Sequence, residues 1–280
     1  MAERSRKRTK KSTFSGNHQR SWLWGRHAVT ETLQAGSWPV LEIYATRDAY
    51  SQSADLLDVK RSDGIPLQVV DSDRLEQLCR SSEHQGLVAR MGEYPYCSAE
   101  RFEQLLRSAQ DAKRATSEAH QVPAGRQPLL VICDRIQDTF NFGAILRCCD
   151  GADVLGVIVG DHSQALVTPH VARSSAGAVN HIDVVKSPDL IGTALKIKSL
   201  GWQLVAADSN ATQSVWDSPL TGANALVIGS EAHGIRPELL EICDRRVCIP
   251  MYGQVTSLNA AVAAGILLYE IRRQQLSSSE

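Results

Sequence analysis

Two stretches of the chain alternate short apolar runs with amphipathic segments. In the first stretch, apolar residues recur at helical or strand spacing, and Gly36 supplies a stop signal for the opening helix. The predicted helices cover 26–35, 53–61 and 73–79, and the predicted strands cover 40–45, 66–70 and 84–90. This αβαβαβ order is sufficient for a small α/β domain.

The second stretch begins at Pro128 and contains longer continuous apolar runs. The predicted strands cover 129–133, 154–159, 182–185, 202–207, 225–228 and 246–250. The predicted helices cover 144–150, part of 168–178, 189–200, 237–243 and 258–273. Because strands and helices alternate with short connections, we expect a parallel sheet that is covered on both faces.

Polar segments divide the chain around these two stretches. The first 20 residues are charged and nearly free of large apolar side chains, which is typical of disorder. A charged helix is predicted at 98–114, and the polar segment 116–127, with Pro123 and Gly125, is the best linker candidate. The predicted division is a disordered basic arm at 1–20, a first domain at 21–96, a helix and linker at 97–127, a second domain at 128–274, and a tail at 275–280.

Charge is unevenly distributed along the 280 residues. The whole chain has a formal net charge of −1, yet residues 1–20 hold seven Lys or Arg and one acidic residue. A basic arm on a mildly acidic body favours contact with nucleic acid, because it displaces counterions from phosphates. A solvated tail without a ligand and a targeting peptide are the alternatives.

Seven cysteines form no CxxC pair and no cluster with histidine, so no metal site is expected. An odd number of cysteines without a signal peptide indicates a reducing compartment, and we expect the cytoplasm. No apolar run approaches the ~18 residues of a membrane span, so no membrane contact is expected.

Three polar segments that follow or flank predicted strands are candidates for a binding site: 141–147, 229–234 and 257–259. Each combines an amide, a hydroxyl or glycine, and the first two also carry a strong charge. Ligands of open α/β sheets bind beyond the carboxyl ends of the strands. The segments therefore indicate a cofactor pocket, and ordinary turns around a sheet, with Gly229 and Gly234 supplying turn geometry, are the alternative.

The chemistry of single side chains in these segments leaves alternatives open. Arg147 can bind a phosphate or carboxylate through two donors, or it can pair with Asp150 on a helix surface. Glu231 is a candidate site carboxylate, or it stabilises a helix N-terminus. Ser257 and Asn259 are candidate site residues, or they cap the last helix.

Other common sites are missing from the sequence. No two glycines lie two positions apart, so the GxGxxG loop of nicotinamide-linked dehydrogenases is absent. The sequence also contains no GxxxxGK[ST] phosphate loop and no GxSxG nucleophile turn. A dehydrogenase or a serine hydrolase is therefore not favoured.

Taken together, the polar segments resemble the three motifs of the SpoU, or TrmH, family of RNA ribose 2′-O-methyltransferases in the SPOUT class. The similar segments are 134–147 (DRIQDTFNFGAILR), 226–250 and 257–270. Residues 24–29 and 84–90 resemble the substrate-binding domain of the branch that methylates a guanosine ribose in large-subunit ribosomal RNA. Two departures are Thr139, where the family usually has proline, and the Cys148–Cys149 pair.

The resemblance implies a SPOUT-type parallel sheet with a deep trefoil knot in the second domain and an L30e-like first domain. It implies that S-adenosyl-L-methionine binds bent in the knot, lined by Gly229, Ile249 and Leu258. It also implies a homodimer with the last helix in its interface. The spacing of this helix agrees, since one stripe contains Leu258, Val262, Ile266 and Tyr269.

The resemblance places the catalytic set at Asn141, Arg147, Glu231, Ser257 and Asn259. Because arginine stays protonated, we expect Arg147 to bind the substrate phosphate and lower the cost of forming the ribose alkoxide. The amides and Ser257 would orient the ribose and the loops, and Glu231 would fix the arginine or the knot. The expected substrate is ribosomal RNA; transfer RNA, or a non-catalytic RNA-binding or ribosome-assembly role on the same fold, are the alternatives.

Overall fold

A computed structural model of the chain describes residues 21–118 and 127–277, with side chains described for 21–109 and 127–277. The predicted arm at 1–20, most of the predicted linker and the last three residues of the predicted tail lie outside the described residues.

The N-terminal part forms a four-stranded mixed sheet. Its strands are β1 (Trp22–Trp24), β2 (Val40–Ala45), β3 (Leu67–Val69) and β4 (Leu87–Met91), in the spatial order β1-β4-β2-β3. β4 runs antiparallel to both neighbours, while β2 and β3 are parallel. The helices are α1 (Arg26–Ala35), α2 (Arg47–Gln52), α3 (Ala54–Ser62) and α4 (Ser72–Cys79).

Several predictions for this part are confirmed, and others are wrong. The bounds of α1 and β2 match, and Gly36 ends α1 in the left-handed conformation (φ 66°). β4 begins three residues later than predicted because Gln85 and Gly86 have positive φ, which an extended strand does not allow. Two elements were missed: the three-residue strand β1, and α2, which begins where the Thr46 side chain accepts a hydrogen bond from the Ala49 amide.

The C-terminal part forms a six-stranded sheet in which every paired strand is parallel, as predicted. Its strands are β5 (Leu129–Asp134), β6 (Gly156–Gly160), β7 (Asp183–Ser187), β8 (Gln203–Ala207), β9 (Asn224–Gly229) and β10 (Arg245–Val247). Their spatial order is β10-β8-β9-β5-β6-β7. The helices are α5 (Ala99–Glu118), α6 (Thr139–Gly151), α7 (Pro169–Ser174), α8 (Leu190–Ser199), α9 (Pro237–Glu241) and α10 (Ala260–Ser277).

Both faces of the larger sheet are buried, which confirms the prediction from the continuous apolar runs. Successive side chains of a strand point to opposite faces. Val131 of the central strand β5 packs in the cluster that includes α6 and α10, whereas Ile132 packs in the cluster that includes α5 and α8. The strand ends, where polar residues accumulate, are thereby held in fixed positions.

The start of α6 corrects the expected loop at Asn141. The helix begins at Thr139 instead of 144, because the Asp138 side chain accepts a hydrogen bond from the Asn141 amide at 2.8 Å. Asn141 and Arg147 therefore lie on one helix, and no loop-to-helix junction separates them.

The two sheets are joined by contacts between β1, α1 and the region around α7. The guanidinium of Arg173 lies 4.3 Å from the ring centroid of Trp24, and the same ring meets His170 edge to face. Burial and the Arg173 cation lower the pKa of His170. A second link is the 2.7 Å contact between His181 Nε2 and Glu31 Oε1. The N-terminal sheet is therefore fixed beside the carboxyl-terminal part by specific side chains.

Within the described residues, no helix combines the length and the apolarity that crossing a bilayer requires. The same residues contain no group of three or more His, Cys, Asp or Glu side chains placed to hold a metal ion.

Candidate active site

Three side chains from separate segments form a hydrogen-bonded chain at one end of the larger sheet. Asn141, on the first turn of α6, donates through Nδ2 to Glu231 Oε1 in the loop after β9. Asn259, immediately before α10, donates through Nδ2 to Asn141 Oδ1 at 2.9 Å. The fold thus brings together three of the five expected catalytic residues, one from each motif.

The backbone of α10 fixes the direction of this chain. Asn259 Oδ1 accepts from the amides of Ala261 (2.9 Å) and Val262 (3.3 Å), which have no partner within the helix. Its Nδ2 must then face Asn141, whose own Nδ2 must face Glu231. The carboxyl oxygen Oε1 of Glu231 is the matching acceptor. The capping role considered for Asn259 is real, and it also orients the site.

The loop after β9 is anchored by a buried ion pair that the sequence predictions did not assign. Asp134, which is fully buried at the end of β5, accepts from the Arg236 backbone amide (2.7 Å) and from Arg236 Nε (2.8 Å). A carboxylate at the end of a wholly apolar strand was the available signal, because acidic residues are rarely buried without a partner. These two are positioning residues, since they hold the loop that carries Glu231.

Gly229 allows this loop to fold back on itself. Ser230 and Gly234 exchange two backbone hydrogen bonds, of 3.2 and 2.8 Å, which closes a tight turn. A Cβ at Gly229 would lie 2.2 Å from the carbonyl carbon of Gly234 and 2.3 Å from the Ile235 nitrogen. No side chain fits there unless the loop moves.

The resemblance implies that Gly229 lines the cofactor site, so Gly229→Ala should lower the affinity for S-adenosylmethionine about tenfold or more, because the loop after β9 must move to admit the added methyl group. Gly222→Ala is the matched control, since a Cβ there meets nothing within 4 Å. Isothermal titration calorimetry of both variants tests this. Equal affinities would contradict the close packing of the loop.

A cleft of about 470 Å³ lies between the turns after β8, β9 and β10 and the start of α10. Gly229, Ile249 and Leu258, the three expected cofactor residues, all line it, and so does Ser257. The volume is in the range of small-ligand sites, roughly 300–1,000 Å³.

The lining of this cleft fits S-adenosylmethionine. Val247 and Leu267 provide apolar surface for an adenine ring, while the backbone of 229–235 provides donors and acceptors. Asp208 and Glu231 supply carboxylates that suit ribose hydroxyls and a positively charged sulfonium. The cofactor has no pyrophosphate, which agrees with the missing GxGxxG loop.

Arg147 and Ser257 are not part of the hydrogen-bonded chain. Arg147 follows Asn141 by six residues on α6, which turns its side chain roughly 120° around the helix axis. The two side chains therefore project from different faces of the helix. Arg147 is exposed, and it makes no hydrogen bond or ion pair with any described residue, including Asp150 and Glu231. Ser257 is exposed at the cleft, and Asn259, not Ser257, caps α10.

Comparison with known proteins identifies the family. The sequence model of the SpoU rRNA Methylase family matches residues 128–269. The model named RNA 2′-O ribose methyltransferase substrate binding matches residues 22–97. The chain belongs to the SpoU rRNA methylase family. It is accordingly an RNA ribose 2′-O-methyltransferase that uses S-adenosylmethionine.

Members of the SpoU family align with nearly the whole chain. A Burkholderia protein named 23S rRNA (guanosine-2′-O-)-methyltransferase RlmB is 35% identical over 257 residues, which are 91% of this chain and 96% of that protein. A protein of the same name from Vibrio vulnificus is 31% identical over 92% of this chain and 98% of its own length. The structure of the SpoU methyltransferase AviRb from Streptomyces viridochromogenes, in complex with AdoMet, has a TM-score of 0.71 and 26% identity over 91% of this chain and 90% of that one.

Proposed function

We propose that the protein methylates the 2′-hydroxyl of a guanosine ribose in 23S-type large-subunit ribosomal RNA. The relatives that carry this activity in their names support the choice of substrate. The observation that carries the proposal is the hydrogen-bonded chain of Asn141, Glu231 and Asn259 at the edge of the cleft that Gly229 and Leu258 line.

The reaction requires an in-line approach of the ribose oxygen to the methyl carbon, at about 3–3.5 Å before transfer. The cofactor supplies an electrophilic methyl group on a sulfonium. Asn141 and Asn259 orient the ribose edge, and Ser257 contributes a hydroxyl at the mouth of the cleft. The methyl carbon–sulfur bond breaks as the methyl carbon–oxygen bond forms, and the hydroxyl proton leaves to a base or to solvent.

In this proposal Arg147 acts on the RNA and not on the other site residues. Its exposed guanidinium is available to bind a phosphate next to the reacting ribose. A fixed positive charge there lowers the cost of the developing alkoxide, while the arginine itself stays protonated. Glu231 holds Asn141 in place and does not hold Arg147.

The finer features of the fold are also proposals. The convergence of residues 207–210, 247–251 and 256–258 on one cleft supports a deep trefoil knot in which the chain after β10 is threaded through an earlier loop. The mixed four-stranded sheet with its α1–α4 helices supports an L30e-like first domain. The two sheets and the intervening α5 support domain boundaries at 21–96 and 128–274, with a helix and linker at 97–127.

A homodimer is proposed with α10 in its interface. Val262 and Tyr269, from the predicted stripe, are 50% and 56% exposed, whereas the opposite side of α10 is buried against α6. Sedimentation should give twice the 30.6 kDa chain mass at micromolar concentration. A monomer would contradict this part of the proposal.

The free thiols of all seven cysteines support a reducing compartment such as the cytoplasm.

Methyl transfer in vitro tests the function. Purified protein with methyl-labelled S-adenosylmethionine should label large-subunit ribosomal RNA, and nuclease digestion should release the label as 2′-O-methylguanosine. Label in transfer RNA alone would contradict the ribosomal RNA substrate and support the tRNA alternative. RNA binding without any labelling would favour the non-catalytic, ribosome-assembly alternative.

The thiol of Cys248 offers a separate test of the cofactor site. Cys248 lines the cleft, so a bound cofactor would cover its thiol. At pH 7.5 saturating S-adenosylmethionine should therefore slow the alkylation of Cys248 by iodoacetamide several-fold. Mass spectrometry of the modified peptides measures this protection, and modification of Cys248 at the same rate with and without cofactor would place the cofactor elsewhere.

A further inference from the structure

A second cavity adjoins the cofactor cleft. It has a volume of about 330 Å³, and the loop residues 230–233 line both cavities. The same loop therefore borders both the cofactor cleft and the second cavity. A nucleotide whose ribose lies at Glu231 has its base within a few ångströms of the same loop, because the base is bonded to the ribose carbon next to the one that bears the 2′-oxygen.

Arg135 lines the second cavity from an unusual backbone conformation. Its φ of 62° lies in the left-handed region that favours glycine. Its neighbours Asp134 and Ile136 are fully buried, and the Ile136 amide donates to Gln164 Oε1 at 2.9 Å. The backbone on both sides is thus fixed. Strain held in this way at a cavity points to a use for the side chain.

The guanidinium of Arg135 is available to a ligand. Its Nε lies 3.5 Å from Asp134 Oδ2, but that carboxylate already accepts two shorter bonds from Arg236. In the part of the chain that the structure describes, Arg135 donates no hydrogen bond, and its Nε is buried. The terminal nitrogens keep their donors in a planar fork.

The second cavity contains both a cation and a carboxylate. Arg135 supplies donors, while Glu231 supplies an acceptor, because Asn141 occupies only its Oε1. A guanine base offers acceptors at O6 and N7 and donors at N1 and N2, so it matches both groups. A phosphate offers acceptors alone and would be repelled by the carboxylate.

We infer that the second cavity holds the guanine base of the nucleotide that is methylated, with Arg135 donating to O6 and N7. This inference rests on the proposed function. Arg135 would then decide which base is accepted, while the hydrogen-bonded chain around Asn141 positions the ribose. Ser230 and Gln137, which also line the cavity, can complete the contacts to the base edge.

The test uses the full-length protein and the RNA segment in which the wild-type enzyme places its methyl group. That segment is prepared with guanosine, adenosine or 7-deazaguanosine at the modified nucleotide, and kcat and KM are measured for each. Arg135→Gly removes the side chain and relaxes the backbone, so its thermal unfolding midpoint should not fall. Arg135→Lys keeps the charge but loses the fork, and it is the matched control.

Wild-type enzyme should prefer guanosine over both analogues by about 10- to 100-fold in kcat/KM, because adenosine lacks O6, 7-deazaguanosine lacks N7, and loss of one hydrogen bond to a charged donor has about this effect. Arg135→Gly should lose most of this preference, Arg135→Lys should retain a small part of it, and both variants should bind S-adenosylmethionine as the wild type does. If Arg135→Gly weakens all three RNAs equally, the residue binds phosphate and the inference is overturned. If it keeps the full preference for guanosine, the base is read elsewhere and the inference is again overturned. If the wild type methylates no RNA, the proposed function itself fails first.

Discussion

Replacing Arg147 with alanine should abolish methyl transfer to RNA, with a loss of at least about 100-fold in kcat. Arg147 is exposed on α6 and donates to no described residue, so its donors are available for the substrate. Removal of a positive charge from beside a developing alkoxide affects the transition state more than the bound ground state. The loss should therefore appear in kcat, measured in single-turnover reactions with labelled cofactor.

The fold and the cofactor affinity of this variant should be unchanged. Alanine favours helix, and surface substitutions outside special contacts usually change stability by no more than about 0.5 kcal/mol. Arg147 does not line the cofactor cleft. Arg107→Ala, at another exposed helical arginine, is the matched control and should leave kcat unchanged. Normal methylation by Arg147→Ala would remove Arg147 from the proposed mechanism.

Asn141→Asp should be nearly inactive at pH 7.5 and should recover activity as the pH falls. The substitution exchanges the Nδ2 donor for an oxygen and places two carboxylates at hydrogen-bonding distance across the site. Two close carboxylates disfavour double ionisation, so the pair takes up a shared proton more readily at lower pH. The shared proton restores a hydrogen bond to Glu231. A pH–rate profile from about pH 5.5 to 8.5 measures the recovery. Most proteins remain folded over about this range.

Two further variants separate charge from packing at Asn141. Asn141→Ala removes the donor without adding charge, so its activity should be low and should not rise as the pH falls. Asn259→Asp keeps the oxygen that caps α10 but loses the donor to Asn141, so α10 should stay intact while kcat falls. Parallel profiles for Asn141→Asp and Asn141→Ala would show that the direction of the hydrogen-bonded chain is wrong.

Local patterns predicted much of the fold because the elements concerned are decided locally. The bounds of α1 follow from its apolar spacing and from Gly36, and the parallel sheet follows from continuous apolar runs with intervening helices. The strand β1 was missed because three residues carry too little periodicity, and its antiparallel partner β4 is distant in sequence. The early start of α6 depends on one side chain, Asp138, which the apolar pattern does not report.

The motifs predicted which residues form the site, but they did not predict the hydrogen bonds and ion pairs between those residues. The sequence places Asn141, Glu231 and Asn259 in separate loops, and only the register of β5 beside β9 brings the first two together. The buried pair of Asp134 and Arg236 was hidden because its members are 102 residues apart. The separation of Arg147 from Glu231 follows from helix geometry once the start of α6 is known.

The most direct test maps ribose methylation in ribosomal RNA from cells that lack the gene for this protein. The account predicts that one guanosine of the large-subunit RNA loses its 2′-O-methyl group, and that the wild-type gene restores it while the gene encoding Arg147→Ala does not. An unchanged methylation map in the deletion strain, or full restoration by the Arg147 variant, would contradict it.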